Sequence, residues 1–138
     1  MTTAPQNRKV DASEVLVVLP ALNENAHIEH CIRSIMQPAK WMAQSKVVVS
    51  DGGSQDGTAE IVKGLRTEFP NLWIIDNPGQ FQSAGLNIAA QEAAEPQHRC
   101  MVRCDVHAHY PEGYVRDVVE MLRQIDVDSV ATVMYAFL

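Results

Sequence analysis

The residues with the clearest capacity for chemistry are carboxylates and imidazoles placed where apolar runs break off. Asp51 and Asp56 stand in "KVVVSDGGSQDGTAEIV" (46–62), Glu24 in "PALNEN", Asp76 at the head of "DNPGQFQS", and Asp105, His107 and His109 in "DVHAHYPEG". Carboxylates accept hydrogen bonds and hold cations; they do not bind phosphate directly. Asp51 suits a base N–H or a ribose hydroxyl, and Gly52, Gly53 and Gly57 let the backbone turn tightly and approach a planar ligand. Asp105 and His107 form an oxygen–nitrogen pair suited to Mn2+ more than to Mg2+. A divalent ion held there would neutralise a diphosphate and stabilise it as a leaving group.

Each of these residues also has a plainer reading. "DGGSQDG" on its own reads as a turn with an Asp cap, and Asn23 or Asn25 as a helix cap. His27 and His30 read as exposed helix residues. A zinc site built from Cys100, Cys104, His107 and His109 lacks the C-x2-C spacing. Strand alternation also sends Cys100 and Cys104 to one face and Arg103 and Asp105 to the other. Cys104 beside His107 suggests a thiol nucleophile, but packing is the favoured role for a thiol at the end of a buried strand.

The elements that must position these groups recur at a steady interval. Apolar runs "VLVVL" (15–19), "KVVVS" (46–50), "LWIID" (72–76), "CMVRC" (100–104) and "SVATVM" (129–134) predict five strands. Between them, Ile28, Cys31, Ile32 and Ile35 mark one helix, and Ile61, Leu65 and Phe69 a second, stopped by Pro70. Residues 83–94 form an alanine-rich third. Tyr114, Val118, Met121, Leu122 and Ile125 mark a fourth, with Pro111 at its first helical position. Strands apolar on both faces, alternating with helices, predict an α/β fold: three layers, α/β/α, around a mainly parallel, Rossmann-like sheet. Ligands of such sheets bind beyond the carboxyl ends of the strands, which is where the polar segments fall.

At 138 residues the chain is expected to be one domain, 14–138, behind a flexible arm, 1–13. Eleven Lys and Arg against 17 Asp and Glu give a net charge of −6, a poor match for nucleic acid or an anionic membrane surface. Three cysteines without a framework imply free thiols in a reducing compartment. The polar N-terminus is unlike a signal peptide, and "VLVVLPAL" falls well short of the ~20 residues that span a bilayer. The expected location is cytoplasmic. The apolar run "VMYAFL" at the end implies either a last strand or the first part of something longer.

Taken in order, "PALNEN", "SDGGSQDGT", "NPGQFQSAGLN" and "RCDVHAHYP" resemble the nucleotide-sugar-binding N-terminal half of family 2 glycosyltransferases with the GT-A fold, over about residues 14–134. The "DVHAHYP" variant is most similar to the exopolysaccharide, succinoglycan-type branch. The resemblance implies that Pro20, Ala21 and Glu24 line the base and ribose pocket and that Asp51 binds a uracil-type base edge. Asp56 would support the loop and nucleotide, and Gly79 and Asn87 would lie near ribose and diphosphate. Asp105 would be the first acid of the D-x-D motif, bridging ribose and metal, with His107 in the place of the second. The cofactor implied is a divalent cation, Mn2+ or Mg2+. The partners implied are a UDP-sugar donor and a saccharide or lipid-linked acceptor, with inversion at the sugar carbon.

The family's general base follows the D-x-D motif, where this chain has about thirty residues. Of the acids there, Glu120 falls mid-helix and Asp126 and Asp128 at the far end of the sheet, so neither these nor Glu112 is nominated. The expectation is a truncated donor-binding half, inactive alone, with membrane association only through segments beyond it. Two alternatives remain. One is a nucleotidyltransferase-like enzyme, which would want a basic Gly-rich loop in place of "PALNEN". The other is a non-catalytic binding or assembly module, a homodimer through the "VMYAFL" edge.

Overall fold

The computed structural model describes residues 9–125. Four strands carry the core: β1 (Val15–Ala21), β2 (Lys46–Asp51), β3 (Leu72–Asp76) and β4 (Cys100–Arg103). Among the described residues four α-helices connect them, α1 (Ile28–Ile35), α2 (Ala39–Met42), α3 (Thr58–Leu65) and α4 (Gln82–Glu92), and a fifth, α5 (Tyr114–Ile125), follows β4. The strands form one parallel sheet in the order β3-β2-β1-β4. The expected fifth strand, 129–134, lies outside the described residues.

Both faces of the sheet are covered, as the unbroken apolar strands require. Ile28 and Ile32 of α1, Val62 and Leu65 of α3, and Val115 and Val119 of α5 pack on one face with Val17, Leu19 and Val47. On the other face, among the described residues, Ala89 of α4 and Ala93 at its C-terminus pack against Leu16, Val18 and Val48. Chain direction explains the division. Crossovers leading from β1 to β2 to β3 put their helices on one side, and the reverse crossover from β3 to β4 must then run over the other.

Pro20 sits in a central strand without breaking it. Val18 O accepts from Cys104 N, and Ala21 O accepts from Gly52 N, so alternate residues face opposite neighbours and Pro20 faces the β4 side. The ladder to β4 ends at Val18↔Arg103, so the missing N–H interrupts no rung.

Several local expectations are corrected. The N-cap position of α1 is His27, without a side-chain cap bond; Asn23 and Asn25 bond to another loop. Pro111 precedes α5 as part of a turn, its carbonyl accepting from Tyr114 N. The buried stripe of α5 is Val115 and Val119, one position from the expected one, and Met121 is 46% exposed. The second helix likewise ends at Leu65, with Val62 buried and Phe69 beyond its last turn. Of the expected arm, residues 1–8 lie outside the described residues; Val10 packs against the core and Ala12 is buried.

Candidate functional site

Strand order reverses between β1 and β4: from β1 the chain moves to β2 and β3 on one side, then returns to β4 on the other. Loops leaving β1 and β4 therefore part around a crevice at the carboxyl edge, the position where open parallel sheets bind ligands. Glu24 follows β1 and His107 follows β4. They meet across that crevice, with Glu24 Oε1 at 2.7 Å from His107 Nε2. The His27 ring, at the start of α1, lies edge-on to that of His107 at 4.8 Å between centroids.

The loop after β2 is tied to the loop after β1 by a set of hydrogen bonds. Asp56 Oδ1 accepts from Thr58 N and Oγ1, while its Oδ2 accepts from Asn25 N. Thr58 Oγ1 in turn accepts from Glu24 N at 2.8 Å. Asn23 Oδ1 accepts from Gln55 N, and Ser54 Oγ is bonded by Asn23 N. Asn23 and Asn25 thus bridge two loops and leave α1 uncapped. The hydroxyl of Thr58, above all, holds the Asp56 carboxyl below the usual aspartate value.

Asp51 ends β2 and is buried, 7% exposed. Its carboxylate accepts from Ser54 Oγ at 2.5 Å and from Ser54 N, an Asx turn that fixes its aim. The next residue must be small. A Cβ on Gly52 would come within 3.2 Å of Gln80 O in the loop after β3. A cleft of about 380 Å³ opens beside Asp51, lined also by Lys63, Asp76, Pro78 and Ile88. A larger cleft, about 440 Å³, lies at the opposite end of the sheet among Met36, Met42, Phe69 and Asn71. It gathers one carboxylate, Glu68, so topology and chemistry place the site at the carboxyl edge.

Beyond β4, Asp105 is held from three sides. Arg103 Nε donates to its Oδ1 at 2.9 Å, Tyr110 OH donates to its carbonyl at 2.8 Å, and Cys31 Sγ lies 3.9 Å from the same carbonyl. Burial pushes the Tyr110 hydroxyl upward and the Cys31 thiol up to about 12, so both stay protonated as donors. The guanidinium of Arg103 also donates to Gln82 Oε1 at the start of α4.

The remaining sequence candidates fall around this centre. Pro20 and Ala21 are buried at the end of β1. Gly79 is exposed in the loop after β3, packed so closely that a Cβ would lie 2.6 Å from Ala84 Cβ. Asn87 is exposed on α4, about 7 Å along the helix from Gln82. Cys104 is fully buried in the core, whereas His107 and His109 are exposed. Arg103 was missed as a site residue, although alternation already put it on the same side as Asp105. His27 was missed because its partner comes from a distant loop.

Among the described residues no three His, Cys, Asp or Glu side chains are grouped so as to hold a metal ion. Asp105 and His107, two positions apart, supply a carboxylate and an imidazole. That pair of donors would suit a divalent ion only if further ligands were supplied from outside the described residues. None of the described helices is long and apolar enough to cross a membrane.

Comparison with known proteins bears on the fold and the family. The succinoglycan biosynthesis protein ExoA of Rhizobium meliloti (strain 1021) is 37% identical over 126 residues, 91% of this chain and 38% of that protein. The glycosyltransferase AglE of Haloferax volcanii is 32% identical over 81 residues, 58% of this chain and 27% of that one. The chain thus spans less than two fifths of the length of these relatives. Among solved structures, the mannosyltransferase PcManGT of Pyrobaculum calidifontis, in complex with GDP-Man and Mn2+, superposes with a TM-score of 0.66 at 24% identity, over 85% of this chain and 33% of that one. S. aureus TarS in complex with UDP-GlcNAc gives 0.63 at 20% identity, over 80% and 31%. These likenesses show the GT-A fold. Residues 16–137 match the family described as Glycosyl transferase family 2, and the chain belongs to that family.

Proposed function

We propose that this chain is the donor-binding part of a glycosyltransferase. It holds a UDP-type nucleotide sugar at the carboxyl edge of its sheet, for transfer of the sugar, with inversion, to a saccharide or lipid-linked acceptor in cytoplasmic polysaccharide synthesis. The observation that carries this reading is the meeting of Glu24 with His107, beside Asp105, at the β1/β4 crevice. In this reading Asp51 receives the base edge, with Pro20, Ala21 and Glu24 around base and ribose. Asp56 keeps the loop in place, and Gly79 and Asn87 flank the ribose and diphosphate. Asp105 and His107 would hold the divalent ion, which supplies charge neutralisation to the leaving diphosphate.

The chain's own residues bind and orient the donor; none of the described acids after β4 is placed as a base. Donor binding without turnover is therefore the activity proposed for the isolated chain. Calorimetric titration of UDP, GDP and ADP, each with and without Mn2+, on wild type and Asp105→Ala tests it. UDP binding that requires Mn2+ and disappears in the variant is the expected result. A folded chain that binds none of the three would instead support an assembly module. The half-exposed Trp73 and Met101 on β3 and β4, the outer strands among the described residues, favour that second reading, and dimerisation in size-exclusion chromatography would accompany it.

A further inference from the structure

A diphosphate entering this crevice meets Glu24, Asp51, Asp76 and Asp105, an edge whose carboxylates repel it. Lys63 lines the cleft beside Asp51 and Asp76, and Asp105 is met by Arg103, whose Nε lies 2.9 Å from Asp105 Oδ1 and whose other arm reaches Gln82 in the first turn of α4. That turn contains no acidic residue. Arg103 and Asp105 are 42% and 34% exposed, so water screens the pair and its hold is weak. His107, the other candidate ion ligand, is likewise engaged within the protein, by Glu24. The ligand-free site therefore carries its own counter-charges where an incoming ion and its diphosphate would bring theirs.

We propose that Arg103 is the resident cation of the donor site. Without ligand it neutralises Asp105; on loading it releases that carboxylate to the divalent ion and turns its guanidinium to the diphosphate oxygens. The planar fork of arginine suits both partners, since carboxylate and phosphate present paired oxygens at similar spacing. Gln82 steers the exchange by holding the second arm of the fork at the start of α4, where the backbone amides already favour an anion. The inference rests on the donor-binding reading given above.

The exchange makes Mn2+ binding and nucleotide binding respond in opposite directions to loss of Arg103. Titrations of MnCl2 alone, and of UDP in the presence of Mn2+, would compare wild type, Arg103→Gln and Arg103→Lys. In Arg103→Gln, Mn2+ alone should bind about threefold or more tighter, because Asp105 has lost its competitor, while UDP should bind about tenfold weaker, because its phosphates have lost a charged partner. Arg103→Lys keeps the charge but cannot span Asp105 and Gln82 together, so it should recover part of the UDP affinity. It also carries the same two titrations should Arg103→Gln fail to fold. A merely structural Arg103 would weaken both ligands in parallel, and that result, or no change in either, overturns the proposal. A wild-type chain that binds Mn2+ but no UDP would refute the donor reading instead, while the Mn2+ titration still reports whether Arg103 competes for Asp105.

Discussion

Glu24 Oε1 lies 2.7 Å from His107 Nε2, a contact that joins the loop after β1 to the loop after β4 across the point where strand order reverses. His107 is 57% exposed and Glu24 only 14%, so the contact joins a largely buried carboxylate to an imidazole at the surface. A single hydrogen-bonded contact of this kind contributes little to folding, about 1 kcal/mol. Its value lies in placing an imidazole beside Asp105.

A double-mutant cycle on Glu24→Gln and His107→Ala should therefore separate the two roles. Coupling in thermal or urea stability should stay below about 1 kcal/mol. Coupling in Mn2+-dependent UDP binding should be larger, because either change leaves the imidazole misplaced or absent. Equal coupling in both measurements would show the pair to be a structural clasp.

Asp56 gives a prediction with a definite sign. Its folded-state value is depressed, chiefly by the Thr58 hydroxyl and further by the Asn25 and Thr58 amides. A depressed carboxyl contributes stability that is complete above its unfolded value, ~3.9, and is lost as pH falls through the lower folded value. The melting temperature of wild type should exceed that of Asp56→Asn by a constant margin from pH 7 down to about 4, and the margin should shrink below that. A margin independent of pH would mean that the carboxylate charge plays no part in joining the two loops.

The strands, their alternation with helices and the parallel sheet were legible because runs such as "VLVVL" are apolar on both faces, which only a covered sheet explains. The carboxyl-edge location of the candidate residues followed from the same reasoning. Local sequence could not show what Asn23 and Asn25 do, because their partners, Ser54, Gln55 and Asp56, lie about thirty residues away. At the N-terminus of a helix, a cap was the nearer explanation. The stripe of α5 was misplaced by one because Tyr114–Val115 and Val118–Val119 are adjacent apolar pairs. The helical period fits either member, and only packing against the sheet chooses Val115 and Val119.

The three thiols should divide by burial. Burial raises the Cys31 thiol to about 12, reinforced by Asp105 and Glu24, and raises Cys104 further still. At pH 8 a thiol of pKa 12 is ionised in only about one molecule in 10,000. Disulfide-exchange labelling of the native protein at pH 8 should therefore leave Cys31 and Cys104 unreacted, with slow partial reaction at Cys100, whose smaller rise also comes mainly from burial. All three should react once the chain is unfolded in guanidinium. Rapid native labelling of Cys104 would revive the thiol-nucleophile reading that its burial opposes.

The loop after β3 approaches α4 closely at Gly79. A Cβ there would stand 2.6 Å from Ala84 Cβ, a separation that carbon atoms do not tolerate, and Ala84 is fixed in the first turn of α4. Gly79→Ala must push the loop away from the helix, at a cost of about 1–3 kcal/mol by analogy with overpacked cores. The displacement would also carry Gln80, whose carbonyl stands over Gly52 beside Asp51, so UDP affinity should fall with stability. Removing the opposing methyl should relieve the clash. Ala84→Gly alone costs about 1 kcal/mol of helix propensity, yet the double variant should be less destabilised than the sum of the two single ones by about 1 kcal/mol or more. Urea denaturation of the four proteins measures this. Additive losses would mean that the loop yields at Gly79 itself, and that the contact with α4 does not set the position of the segment carrying Gln80.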